Sequence, residues 1–302
     1  MVEYSENDFK DLCRAGRVSV EIGSIEDKRR DAVKKFWLYL LGGIVLSALM
    51  GWSLIGAGWV ATGAILGIAV LIVAIVVAII PLSKAGEALK HPVLETLAEK
   101  GGMTYMPSGF DPPVYPEARK ALFGNWLSSQ TFTDLFHGID GEGRRYAFYE
   151  GNLTRKQGKN TVTIFSGQMY AFQRRSRASG DIVIVPDRGL FNFFKPLSGM
   201  ERVKFESDPD FEKRFEVYAY HPHEAMALLG TDLRRKLLEL RQAGRVFAYV
   251  GAEDAFVAAT AKNKFEAGSM FRATAGEERV RRMFDEVCES LAHLRALKAG
   301  LD

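Results

Sequence analysis

From Phe36 to Leu82 the chain carries no charged residue, although charged residues make up 25% of the whole. The overall mean hydropathy of -0.05 and hydrophobic content of 47% resemble those of a soluble protein, so the average conceals two regions suited to different media. A single helix of about 47 residues would be roughly 70 Å long, against a hydrocarbon core of about 30 Å. The run is therefore expected to cross a membrane twice, at Phe36–Ile55 and Trp59–Ile80, turning at Gly56-Ala57-Gly58. About thirteen Val, Ile and Leu residues in the second span favour insertion by roughly 4 to 8 kcal/mol.

The flanks predict the orientation. Lys28, Arg29, Arg30, Lys34 and Lys35 precede the first span, Lys84 follows the second, and the turn has no charge, so both termini are expected on the cytoplasmic side of a bacterial inner membrane. Trp37 and Tyr39 mark one interface, Trp52 and Trp59 the other. The apolar run starts too late and is too long for a cleaved signal peptide. So short a turn leaves no room for an outer domain, and any chemistry is expected inside. Cys13 and Cys288 are then expected to be reduced, and their spacing matches no zinc pattern. A net charge of +3 and a pI of 8.7 do not suggest nucleic-acid binding.

Four segments are expected: 1–35, a cytoplasmic juxtamembrane helical segment; 36–82, the hairpin; 83–102, a helical stalk interrupted at His91-Pro92 and stopped by Gly101-Gly102; and 103–302, a cytoplasmic α+β domain. Met106–Pro116, rich in Pro and Gly, reads as its entry loop. Strands are predicted at Tyr146–Leu153, Thr161–Gln173, Asp181–Val185, Arg202–Glu206, Phe211–Tyr220, Val246–Val250 and Ala255–Ala261, forming a mostly antiparallel sheet with one buried face. Pro222 is placed to start a helix ending at Gly230, and Thr231 to cap the next. Val280, Phe284, Val287, Leu291 and Leu294 make one stripe of a C-terminal amphipathic helix, expected to dock on the sheet.

The block Phe211-Glu-Lys-Arg-Phe-Glu-Val-Tyr218, followed by His223-Glu-Ala-Met-Ala-Leu-Leu229, resembles the signature region of the bacterial Domain of Unknown Function 3137 family. The charged helix before the hairpin, Ala121-Leu-Phe123, Asp134 with Gly138, Glu150 and an Ile164-Phe165-Ser166-Gly167 turn follow that family's order. The resemblance implies a membrane-anchored cytoplasmic domain of unestablished activity, and a LemA-like membrane protein as partner. The chain departs from the family at His221-Pro222-His223, where an acidic residue is common.

The candidate chemistry is sparse. His221 and His223 beside Glu224 lack an evident third ligand, so no metal is expected. Asp134, Asp140, Glu142 and Glu150 surround Gly-rich turns, which favour Asp and Gly for backbone reasons alone. No nucleophile elbow, phosphate-binding loop, dinucleotide fingerprint or zinc-protease motif occurs, and no cofactor is expected. Arg174, Arg175, Arg177 and Arg188, with Lys156 and Lys159, could meet anionic headgroups, and Phe191, Phe193 and Phe194 could face a partner or membrane. Gly42, Gly43, Gly51, Gly63 and Gly67 offer close-packing faces, within the hairpin or between copies in a homo-oligomer. With no ionisable group in either span, a transport path through this chain alone is disfavoured.

The reading that follows is a membrane-anchored interaction or scaffold module, non-enzymatic, binding membrane lipids or a protein partner. The alternative is a membrane-tethered hydrolase using Glu150, Asp140 or His223.

Overall fold

The first helix begins where Ser5 and Asp8 satisfy each other. In α1 (Glu6–Arg14) the Ser5 hydroxyl accepts from the Asp8 N–H, and the Asp8 carboxylate accepts from the Ser5 N–H at 2.7 Å. Beyond it the apolar run folds as expected into two long helices, α2 (Gly16–Gly56) and α3 (Val60–Lys100). The structure, a computed structural model, describes residues 1–56, 59–124, 127–187 and 197–302, so Ala57 and Gly58 of the expected turn lie outside the described residues. The helix α3 passes through both Pro81 and Pro92 without the break expected at His91-Pro92. It ends before Gly102, whose φ of +66° suits glycine.

Contacts divide the chain into two units: a helical unit of Ser5–Leu97 with Phe265–Asp285, and a sheet unit of Met1–Tyr4, Ala98–Lys264 and Glu286–Asp302.

Within the helical unit the small residues hold α2 against α3. A Cβ on Gly43 would lie 2.0 Å from Ala74 Cβ, one on Gly67 would lie 3.4 Å from the Ser47 carbonyl oxygen, and the Ser47 hydroxyl donates to the Gly67 carbonyl at 2.7 Å. Gly43 and Gly67 thus serve contacts inside one chain. Gly43→Leu is expected to lower the melting temperature in detergent by overpacking this seam, a cost of about 1–3 kcal/mol. Gly42→Leu, with nothing within 4 Å, is expected to leave it unchanged. Phe265–Asp285 closes the same unit: Phe271 meets Phe36 edge-on at 4.9 Å, Phe284 meets Phe9 at 5.5 Å, and Lys90 pairs with Glu266 at 2.9 Å. Buried Arg279 binds this segment by donating to the carbonyls of Ala267, Ser269 and Arg272.

The sheet unit is built on β1 (Met103–Met106), β2 (Ser129–Ile139), β3 (Arg145–Gln157), β4 (Asn160–Gln173), β5 (Ile182–Pro186), β6 (Glu201–Val203), β7 (Phe215–Ala219), β8 (Val246–Val250) and β9 (Asp254–Thr260). These make one antiparallel sheet in the order β1-β2-β3-β4-β9-β8-β5-β7-β6. Its outermost strands are its two shortest, which limits the unpaired edge open to other chains. The hairpin between β3 and β4 turns on Gly158, at φ +62°.

One expectation fails in an informative way. The sheet is buried on both faces, so β5, β7 and β8 are buried at every residue rather than alternately. One face carries α4 (Tyr115–Leu122), whose Tyr115, Ala118 and Leu122 share a core with Tyr149, Met169, Phe247 and Phe256. On the other, His293 of α8 (Gly276–Leu301) faces Tyr170, with Nδ1 and hydroxyl 3.3 Å apart, and α7 (Thr231–Arg241) contacts β8 and β9. Of the predicted α8 stripe, Val287, Leu291 and Leu294 are buried in the sheet unit, whereas Val280 and Phe284 are buried in the helical unit. Pro222 does start α6 (Pro222–Leu228), whereas Gly230 rather than Thr231 occupies the N-cap of α7. The signature block divides into α5 (Pro209–Glu212) and β7, and Ile164–Gly167 lies inside β4 instead of forming a turn.

Candidate functional site

On the α4 face of the sheet unit lies an open cleft of about 1120 Å³. Its floor is made by the ends of β2, β3 and β4, with Ala147 and Ala171 in its lining. Phe110, Pro113 and Val114, from the segment before α4, wall one side. Val114 turns that segment into the helix from a left-handed backbone, φ +62°. Four carboxylates, Asp111, Glu117, Glu253 and Asp254, face Arg145 and His137 around it.

The carboxylates come from separate parts of the chain, and the turn between β8 and β9 brings two of them in. That turn is fixed by backbone: Arg174 N–H donates to the Glu253 carbonyl at 2.8 Å, and Ala178 N–H to that of Ala252 at 3.0 Å. Burial pushes the Asp254 carboxyl above the usual carboxylate range, Arg145 opposes this, and the negative charges of Glu253 and Glu117 add to it. Glu253 pairs with Arg177. Asp111, Glu117 and Asp254 make no ion pair among the described residues. The result is an acidic, partly apolar recess.

A raised carboxyl in the native state carries a penalty that is complete above its folded pKa and relieved as pH falls through it. Asp254→Asn is therefore expected to raise the melting temperature at neutral pH, and the gain is expected to shrink on acidification. Thermal melts across pH 4 to 8 would check both (pH range set at about the carboxylate pKa and above).

Of the arginines singled out in the sequence, none of those described lines the cleft, and Arg174 and Arg177 reach it only through their contacts with Glu253. Arg174 is buried, and its Nε donates to the Leu301 carbonyl at 3.1 Å; burial lowers its pKa, partly offset by Asp302. Arg175 and Arg177 are exposed at 71% and 80% of their side chains. Arg188, Phe191, Phe193 and Phe194 lie outside the described residues.

The other acidic and histidine candidates occupy different places, and none lines the cleft. Glu150, buried in β3, accepts from Gln168 Nε2 at 2.9 Å and from the Lys264 N–H. Asp134 sits at a bulge in β2 with φ +56° and accepts from the Tyr105 hydroxyl at 2.6 Å. Asp140 forms an ion pair with Lys298 and accepts from the N–H groups of Glu142 and Arg144, each at 2.9 Å. His221 occupies the N-cap position of α6 without a side-chain capping hydrogen bond, and His223 lies in its first turn, where the Glu224 carboxylate accepts from the Ser179 N–H at 2.8 Å. Among the described residues no cluster of His, Cys, Asp and Glu suits a metal ion.

The signature block is structural. Phe211 and Phe215 are buried with ring centroids 4.9 Å apart, Glu212 accepts from the Phe205 N–H at 2.9 Å, and the Tyr218 hydroxyl donates to Glu216 at 2.9 Å.

Among solved structures, the crystal structure of the mycobacterial trehalose monomycolate transport factor A, TtfA, is 10% identical, with 67% of this chain and 93% of that chain covered and a TM-score of 0.37. That likeness is too low to carry a conclusion. Comparison with curated proteins gives no match. Residues 163–297, which include the Phe211–Tyr218 block, match the family described as "Protein of unknown function (DUF3137)". This stretch, which runs from within β4 into α8 and covers less than half of the chain, is similar to the DUF3137 family.

Proposed function

We propose that this chain is a membrane-anchored binding module, in which α2 and α3 form the anchor and the sheet unit receives a basic side chain of a protein partner in its acidic cleft. The observation that carries the reading is the cleft's charge: four carboxylates and one arginine around an apolar floor, with burial already working against the ionised form of Asp254. A cationic group entering there would relieve that penalty. Anchoring is supported by the exposure of the apolar run. Both helices are long and apolar enough to cross a membrane, and in their most apolar stretches 0% and 17% of the residues are buried, unlike the core helices of a soluble protein. The flanking lysines and arginines favour a cytoplasmic position for the sheet unit at the inner membrane.

The hydrolase reading has less support, because Glu150, Asp140 and His223 are each engaged or placed apart from the cleft. The LemA-like membrane protein implied by the family resemblance is the first partner to test. The full chain would be purified from native membranes as wild type, as Glu117→Lys/Asp254→Lys and as Lys159→Glu, and co-purifying proteins quantified by mass spectrometry. A partner lost with the cleft variant and retained with Lys159→Glu is expected. Retention by the cleft variant would overturn the assignment of the cleft.

A further inference from the structure

A second cavity, of about 480 Å³, lies between α2 and α3 within the helical unit. Its lining has a polarity that runs along the helices. On α2, Lys28, Asp31, Lys35 and Tyr39 recur at three- and four-residue spacing and so share one face. On α3, Val77, Ile80 and Lys84 do the same. The apolar run ends at Leu82, so Tyr39, Val77 and Ile80 lie at its border and the lysines beyond it. Val77 and Ile80 are 40% and 45% exposed, leaving an apolar wall open toward the lipid side.

We infer that this cavity holds the phosphate of an anionic phospholipid between Lys35 and Lys84, with the start of its acyl chains along Val77 and Ile80. The inference rests on the membrane-anchored reading and goes beyond it by naming a lipid class and a site. Three lysines against one aspartate give the lining an excess of positive charge. Lys28 and Lys35 already pair, with Glu21 at 2.5 Å and Asp31 at 2.7 Å, whereas Lys84 makes no ion pair among the described residues. A phosphate bridging Lys35 and Lys84 would complete the charge balance. Pro81, in the same lining, has no N–H to donate to the Val77 carbonyl one turn earlier, leaving that helical hydrogen bond unmade beside the site. Basic recesses between helices at the cytoplasmic interface are a recurrent solution for such headgroups.

The test uses the full chain in mild detergent, with native mass spectrometry after addition of dioleoylphosphatidylglycerol or dioleoylphosphatidylcholine. The wild type is expected to retain phosphatidylglycerol preferentially, and Lys35→Gln/Lys84→Gln to lose roughly thirtyfold of that affinity, at about 1 kcal/mol for each lysine. Lys34→Gln, outside the lining, is expected to keep the preference. Equal retention of both lipids by the wild type, or an undiminished preference in the double variant, would overturn the inference. Binding of sn-glycerol 3-phosphate alone with the same lysine dependence would reassign the site to a soluble anion and overturn the lipid assignment. Alkaline carbonate extraction separates the two levels: release of the chain from membranes removes the anchored reading itself, while retention without lipid preference removes only the headgroup site.

Discussion

Gly167→Val is expected to disrupt the sheet unit, with a loss of about 4 kcal/mol or more. Gly167 pairs with Thr260 where β4 meets β9, and a Cβ there would lie 2.3 Å from the Ala259 carbonyl oxygen and 2.4 Å from the Ala261 nitrogen. Both are backbone atoms, so no side-chain rotation relieves the clash, and the strands must part at the join between the two halves of the sheet. Limited proteolysis and near-ultraviolet circular dichroism of the detergent-solubilised chain would register the loss. A native-like spectrum and melting temperature would show that β4 and β9 can separate locally at little cost.

Lys298→Ala is the second large effect, about 1.5–3 kcal/mol, because it removes one charged partner of the buried Asp140 carboxylate and leaves it Arg144 and two backbone N–H groups. The two side chains are only 5% and 8% exposed, and Arg144 joins the cluster through Asp140 and Asp302. Burial alone would raise the Asp140 pKa, but Lys298 and the N–H groups of Arg144 and Glu142 outweigh it and hold the carboxyl far below the usual range. A depressed carboxyl stabilises the native state fully above its unfolded pKa of about 3.9, and that contribution is lost as pH falls further toward the folded value. The wild type is therefore expected to lose stability steeply below about pH 4, and Lys298→Ala much less steeply. Denaturant titrations of the full chain at several pH values would decide it; parallel acid limbs for the two proteins would contradict the assignment.

The legible parts of this fold were those with one dominant physical signal. An uncharged run beyond the length of one span leaves two helices as the economical solution, and Val246–Val250 reads as a strand because Val-Phe-Ala-Tyr-Val is apolar at both parities. The same double burial explains why a one-faced sheet was the wrong expectation. The strands β1 and β2 and the helix α4 escaped notice for local reasons. Four-residue β1 abuts a Pro- and Gly-rich segment, β2 is interrupted by the Asp134 bulge, and α4 follows a left-handed valine rather than a capping residue. The cleft was the least legible. Asp111, Glu117, Arg145 and Asp254 come from distant segments, and an acidic pair in a turn, Glu253-Asp254, reads by itself as solvated. Conversely, the most recognisable block in the chain, Phe211–Tyr218, is recognisable through packing and internal hydrogen bonds, so it marks the fold and not the site.

The place of β9 sets the order in which the sheet unit can be made. It is the last strand along the chain, yet it lies between β4 and β8, near the middle of the sheet. During synthesis the helices α2 and α3 emerge first, and β1 to β4 can then pair with one another, but the fourteen-residue β4 has no neighbour on its far side until residue 254 and beyond are available. For that interval a long strand edge is open to other nascent chains. Closure joins segments roughly ninety residues apart, a separation that makes folding slow, on the order of milliseconds to seconds. If α2 and α3 are held in a membrane, as proposed above, that early tether would keep neighbouring chains apart while the edge waits and would serve the making of the sheet as well as its later position.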